Sequence, residues 1–147
     1  MNNDARAKCI MTMYEIYPIS RKLVFDTFDR KKYDITRTQQ IIMLSLSLCG
    51  TLTMSKLAAK INTSNEQATR AVAQLVDKGF IVRMHNPENR RVINIKLTEE
   101  AEIFFNKMKA EIIDDLIEKF SCLSNEEMEE FSRSLENVSD VLKKVMK

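Results

Sequence analysis

Three arginines, Arg70, Arg90 and Arg91, carry the planar guanidinium fork that grips phosphate or a guanine edge through two parallel hydrogen bonds. Arg70 ends a polar run that begins Ser64-Asn65-Glu66-Gln67 and includes Thr69. Gln67 has the shape to pair with adenine. It also stands three residues after Ser64, where its side chain would cap a helix start, and one amide cannot fill both roles. At about 100° per residue, Glu66, Arg70, Ala73, Gln74 and Asp77 fall opposite an apolar stripe of Ala68, Ala71, Val72, Leu75 and Val76. The stripe would be buried and the polar face free to meet a partner.

Other chemistry is poorly represented. Cys9, Cys49 and Cys122 are odd in number, widely spaced and without metal-ligand spacing, so neither a disulfide framework nor a metal site is expected. The one histidine, His85, stands beside Asn86 and Pro87 and reads as a solvated turn residue. None of the glycine-rich phosphate loops, zinc-protease or nucleophile-elbow motifs occurs, so no catalytic residues and no cofactor are expected. The start Met-Asn-Asn-Asp-Ala-Arg lacks a secretory pattern, and no apolar run approaches the ~18 residues of a membrane span. A cytoplasmic protein without membrane association is the expectation.

The elements that must position the arginines follow from caps and periodicity. With 147 residues, 2 Gly and 2 Pro, the chain reads as one mainly helical domain. Residues 4–32 look helical, with Pro18 expected to kink or split them. Thr36-Arg37-Thr38-Gln39 is a capping box that opens a helix closed by Gly50, and Thr53 caps a short helix to Ile61. After the turn at Asn62-Thr63, Ser64 to Gln67 opens the helix that carries Arg70, and Gly79 ends it. Residues 80–84 and 91–97 read as two strands of a single hairpin, turned by Asn86-Pro87-Glu88-Asn89. Thr98 caps a long helix, and Ser124 to Glu127 opens a last one whose Met128, Phe131, Leu135, Val138, Leu142 and Val145 form a packing seam.

Charge is divided along the chain. Residues 51–98 hold eight Lys and Arg against three Asp and Glu, whereas residues 99–147 hold seven against thirteen. A surface for an anionic polymer therefore belongs in the middle third. Two short helices joined by a tight turn and followed by a basic hairpin spell a winged helix-turn-helix, mainly α with one β-hairpin wing, over residues 36–98. Residues 4–32 and 98–147 would then be N- and C-terminal dimerisation helices. A helix of this kind fits the major groove of double-stranded DNA, while a winged-helix protein-interaction module without DNA binding is the alternative.

The run Leu57-Ala58, Ile61-Asn62-Thr63-Ser64, Ala68-Thr69-Arg70-Ala71-Val72, Leu75 and Lys78-Gly79-Phe80-Ile81-Val82-Arg83 resembles the MarR family of transcriptional regulators. So does Asn89-Arg90-Arg91 followed by Leu97-Thr98, which is similar to the family's D-x-R wing tip and L-T-x-x-G. The resemblance implies a homodimeric regulator, a repressor by expectation, whose paired helices enter successive major grooves of a near-palindromic operator. Its DNA-contacting residues would be Ser64, Asn65, Glu66, Gln67, Thr69, Arg70, Arg90 and Arg91, with Arg91 in the minor groove. The chain departs from the family pattern at Thr63, at Gln67-Ala68 and at Ala101, and Asn89 stands where the family has Asp. Asn offers only neutral hydrogen bonds, so a looser wing is expected.

The resemblance further implies a small aromatic or lipophilic effector that alters DNA affinity, in a pocket lined by Met11, Tyr14, Met43, Phe104 and Met108. Oxidation is a second route of control. Cys9 is the candidate, with Arg6 and Lys8 close in sequence, although the family's sensing position falls nearer Thr12. A small hydrophobe packed inside is the other reading of Cys9.

Overall fold

The computed structural model describes residues 3–26 and 30–147. Their element order is α1 (Asn3–Asp26), α2 (Arg30–Tyr33), α3 (Arg37–Cys49), β1 (Leu52–Thr53), α4 (Met54–Lys60), α5 (Asn65–Asp77), β2 (Ile81–His85), β3 (Ile93–Leu97), α6 (Glu99–Lys119), a 3-10 turn (Phe120–Cys122) and α7 (Asn125–Val145). The chain divides into two compact units, residues 1–112 and residues 113–147.

In the first unit α3, α4, α5 and α6 start where a side chain satisfies a free amide. Thr36 and Gln39 form the full capping box of α3, with both hydrogen bonds present. Thr53 accepts from the amide of Lys56 to begin α4, and Ser64 accepts from the amide of Gln67 to begin α5. The second half of the box expected at Ser64 is absent. The Gln67 side chain instead accepts from the Thr63 hydroxyl at 2.5 Å.

The same C-terminal motif ends α4 and α5. The amides of Thr63 and Asn62 reach back to the carbonyls of Ala58 and Ala59, and those of Phe80 and Gly79 to Leu75 and Val76. Both motifs need one left-handed residue. Gly79 supplies it at φ 76° and Asn62 at φ 53°, Asn being the side chain that tolerates this region through local hydrogen bonding.

Helix α1 continues through Pro18, so the N-terminal helical stretch is not split at the proline. Proline removes one donor. Its surroundings on α1 are solvent-exposed, so water can take the carbonyl left over. The hairpin is also part of a larger sheet than the sequence suggested. β1 pairs antiparallel with β3, Leu52 opposite Ile95, giving three strands in the order β1-β3-β2.

The core of this unit joins α3 (Ile42, Met43, Leu46), α4 (Leu57, Ala58), α5 (Ala68, Val72, Leu75), the strands (Ile81, Ile95, Leu97) and α6 (Ala101, Phe105, Met108). Thr98 clamps the end of α5 to the start of α6: its hydroxyl donates to the Gly79 carbonyl at 2.7 Å and accepts from the Ala101 amide at 3.1 Å. In the second unit the capping box of Ser124 and Glu127 starts α7, and the rings of Phe120 and Phe131 lie 5.8 Å apart. Phe131, Leu135, Val138, Val141, Leu142 and Val145 of α7 are exposed, as are Ile10, Met13, Ile16, Tyr17 and Ile19 of α1.

Candidate nucleic-acid interface

The Ala and Val stripe holds α5 against the core and turns its polar face outward. Ser64, Asn65, Glu66, Gln67, Thr69 and Arg70 are all exposed. Thr69 donates its hydroxyl hydrogen to the Asn65 carbonyl at 2.7 Å, which leaves its oxygen lone pairs free to accept. Arg70 lies 3.0 Å from the Glu66 carboxylate one turn earlier. An exposed pair at this spacing contributes only about 0.3–0.5 kcal/mol, so the guanidinium is easily released to a stronger acceptor.

The wing is tied at its tip by side chains acting on backbone. Asn86 Oδ1 accepts from the Glu88 amide at 2.9 Å, and Asn89 Oδ1 accepts from the Arg91 amide at 3.1 Å. The Asn86 amide donates to the Val92 carbonyl at 2.9 Å. His85 Nδ1 lies 3.0 Å from the Arg90 carbonyl, and since a carbonyl only accepts, that nitrogen carries the proton. Asn89 thus holds Arg91 through its backbone and does not engage the guanidinium.

Between the β2–β3 hairpin and α5 lies a cleft of about 620 Å³, lined by Thr53 to Lys56, Asn65, Thr69, Arg83 and Arg91 to Ile93. Three cations face it and no carboxylate lines it. Asn65, Thr69 and Arg91 were expected contacts. Lys56 and Arg83 were not singled out from the sequence, although both belong to its basic middle third. Gln67 and Arg70 line a separate groove of about 260 Å³ on the other flank of α5, with Thr36, Thr38, Thr63 and Gln74. Arg90 is exposed on the wing. All eight expected contacts are exposed, with Asn65, Thr69 and Arg91 at the cleft and Gln67 and Arg70 at the groove on the other flank of α5.

The five residues expected around an effector differ in burial. Met11 and Tyr14 are exposed on α1, whereas Met43 and Met108 are within 1% of full burial in the core. Phe104 is half-buried, stacked on Phe80 at 4.7 Å and edge-on to Tyr33 at 6.3 Å. Met43 and Met108 lie on the buried faces of α3 and α6. A concavity of about 530 Å³ is formed by α1, α3 and the turn after α4, lined by Tyr17, Ser20, Arg21, Val24, Ile41, Ile61 and Asn62. Cys9 is exposed, not packed inside, and so are Cys49 and Cys122. Among the described residues no cluster of His, Cys, Asp and Glu is arranged to hold a metal, and no helix is long and apolar enough to cross a membrane.

Polar bonds tie the segment before α3 to its surroundings. Lys78 Nζ lies 2.7 Å from Asp34, and this hydrogen bond holds the Asp34 carboxyl below its usual range. Glu111 on α6 accepts from the Tyr33 hydroxyl and lies 2.9 Å from Lys32 Nζ. Those bonds hold the Glu111 carboxyl low, while burial and then the bond to Glu111 push the Tyr33 hydroxyl up.

Helix α4, the turn at Asn62, helix α5 and the β2–β3 hairpin define a winged helix-turn-helix protein. The profile of the MarR family matches residues 35–93, from the residues before α3 to the start of β3. The HTH-type transcriptional repressor MdtR of Bacillus subtilis is 32% identical over 98 residues, 67% of this chain and 63% of MdtR, so the match spans less than two thirds of that relative. The uncharacterized HTH-type transcriptional regulator YfiV of the same organism is 30% identical over 119 residues, 76% of this chain and 74% of YfiV. The crystal structure of apo MarR from E. coli shares the fold at a TM-score of 0.76 and 21% identity, covering 87% of this chain and 93% of MarR. A cysteine-to-serine mutant of that MarR, complexed with operator DNA, matches at a TM-score of 0.64 and 22% identity, over 89% of this chain and 95% of the mutant. This chain belongs to the MarR family.

Proposed function

We propose that this protein is a homodimeric, sequence-specific DNA-binding transcription regulator, acting as a repressor in the cytoplasm and not as an enzyme. The observation that carries the reading is the cleft in which Lys56, Arg83 and Arg91 face the exposed Asn65 and Thr69 of α5 with no carboxylate in the lining. A helix of this diameter enters the major groove, its Asn, Thr, Gln and Arg side chains match base edges, and the wing cations neutralise phosphate or enter the minor groove. Relatives named as HTH-type regulators, one of them a repressor, support the class, and the operator complex of a protein with this fold supports the mode of docking. The exposed apolar faces of α1 and of α7 support a dimer, because apolar faces of this extent are covered in stable proteins.

Control of DNA affinity belongs to the same reading. The concavity beside Tyr17, with Val24, Ile41 and Ile61 on its wall, suits a small aromatic or lipophilic effector better than Met11, Tyr14, Met43, Phe104 and Met108 do. Cys9, exposed on α1 and flanked in sequence by Arg6 and Lys8, is the thiol through which an oxidant would act, and Cys9→Ser should abolish any peroxide effect on DNA affinity.

The test is selection of a duplex from a randomised pool, followed by fluorescence anisotropy against a salt series. The expected result is a near-palindromic site bound far more tightly than a scrambled duplex. Absence of binding to any duplex at low salt overturns the reading in favour of a protein-interaction module.

A further inference from the structure

Gln39 is 3% exposed, and its amide is divided between two elements. Its Oε1 accepts from the Thr36 amide at 2.9 Å, closing the capping box of its own helix α3. Its Nε2 donates to Oε1 of Gln74 on α5 at 2.8 Å. Both ends of a buried amide are therefore satisfied, one locally and one across to the helix that carries Asn65, Thr69 and Arg70.

The packing of α5 makes that second bond informative. Its buried stripe is Ala68, Ala71, Val72 and Leu75, so half of the inward side chains are single methyl groups. Apolar contact is non-directional, and methyl groups interlock least with a facing helix, so the stripe leaves the rotation of α5 about its own axis weakly determined. Side-chain ends lie about 5–6 Å from a helix axis, so a roll of about 10° moves them by about 1 Å. Hydrogen bonds to base edges tolerate only a few tenths of an ångström. A directional bond from a buried donor supplies the missing constraint.

We infer that Gln39 is a positioning residue for DNA recognition: its hydrogen bond to Gln74 fixes the rotational setting of α5 and hence the aim of the side chains that α5 presents. The inference rests on the DNA-binding reading above, and its test has one arm that does not. Gln74→Ala removes the acceptor at an exposed site. Gln39→Glu alone is no deletion, because the Gln74 amide can turn and donate to the carboxylate; Q39E combined with Q74K sets a donor and acceptor across the gap with their roles exchanged.

Two quantities are read for each variant: amide hydrogen exchange along α3 and α5 in the free protein, and the affinity ratio between the selected duplex and a scrambled one. Gln74→Ala should speed exchange in α5, leave the first turn of α3 protected, and lower the affinity ratio by about five- to tenfold with the salt dependence unchanged. The Q39E, Q74K pair should recover both. Unchanged exchange in Gln74→Ala overturns the inference whether or not DNA is bound, and so does an altered exchange pattern with an unchanged affinity ratio. Wild-type protein that binds no duplex removes the DNA reading instead, while the exchange arm still decides whether Gln39 sets α5.

Discussion

Arg83 and Arg91 occupy one setting and Arg70 another, and each predicts a different signature. Arg83 and Arg91 line the cleft with Lys56, where the complementary partner is phosphate or a narrow groove edge that carries little sequence information. Arg91→Ala, Arg83→Ala and Lys56→Ala should each weaken binding to operator and scrambled DNA alike. Each should also reduce the slope of log K against log salt by about 1 per lost phosphate contact in each subunit, read by anisotropy titrations across salt. Arg70 lies on the other flank of α5 and is held only by the exposed Glu66. Arg70→Ala should cost about 1–3 kcal/mol per base contact on the selected site and much less on scrambled DNA, compressing the affinity ratio. Wild-type ratio and slope in all four variants would show that the recognition surface lies elsewhere.

At the scale of the elements, the wing and the segment before α3 are both fixed by polar side chains acting on a neighbour. Asn89 closes the wing turn through the Arg91 amide, so Asn89→Ala should leave the helices unchanged while raising exchange at the wing-tip amides and weakening DNA binding. Asn89→Asp keeps that acceptor and should retain the turn.

Glu111 ties α6 to Tyr33 and Lys32, and its carboxyl is held below the ordinary value of 4.5. A carboxyl depressed in the folded state contributes stability that is fully present above its unfolded pKa and is lost as pH falls through the folded one. Wild-type protein should therefore lose stability between about pH 5 and pH 3 through this contact. Glu111→Gln should lose less over the same interval, and urea unfolding at the two ends of the interval measures the difference.

For the whole molecule the governing fact is uncovered apolar surface. Leu135 and Val138 of α7 are half-exposed, and Tyr14 and Ile19 of α1 more than half. Polar residues fill the rest of α7, so its apolar positions form a stripe, the pattern of a helix awaiting a partner. The protein should sediment as a dimer at micromolar concentration, and Leu135→Lys with Leu142→Lys should shift it toward monomer with loss of operator affinity. A wild-type species of 17.1 kDa alone would overturn the dimer and the paired half-sites that follow from it.

Local chemistry is what the sequence by itself determined. The caps at Thr36, Thr53, Thr98 and Ser124, the inward stripe of α5 and the stop at Gly79 are short-range preferences, and each is visible within a few residues. The winged helix-turn-helix follows from their order, and so does the basic middle third. Tertiary structure decided what depends on distance along the chain. The two-residue strand β1 exists because β3 passes beside it, too short to leave a pattern of its own. Lys56 and Arg83 are 27 positions apart and meet at one cleft only because the sheet and α4 fold around α5. Gln67 turned from its own helix cap to the Thr63 hydroxyl, and of the residues expected around an effector Met43 and Met108 are closed in the core, Phe104 is half-buried, and Met11 and Tyr14 are exposed. Helical spacing assigns a face to a residue, but whether that face closes, lines a cavity or stays exposed is set by what packs against it.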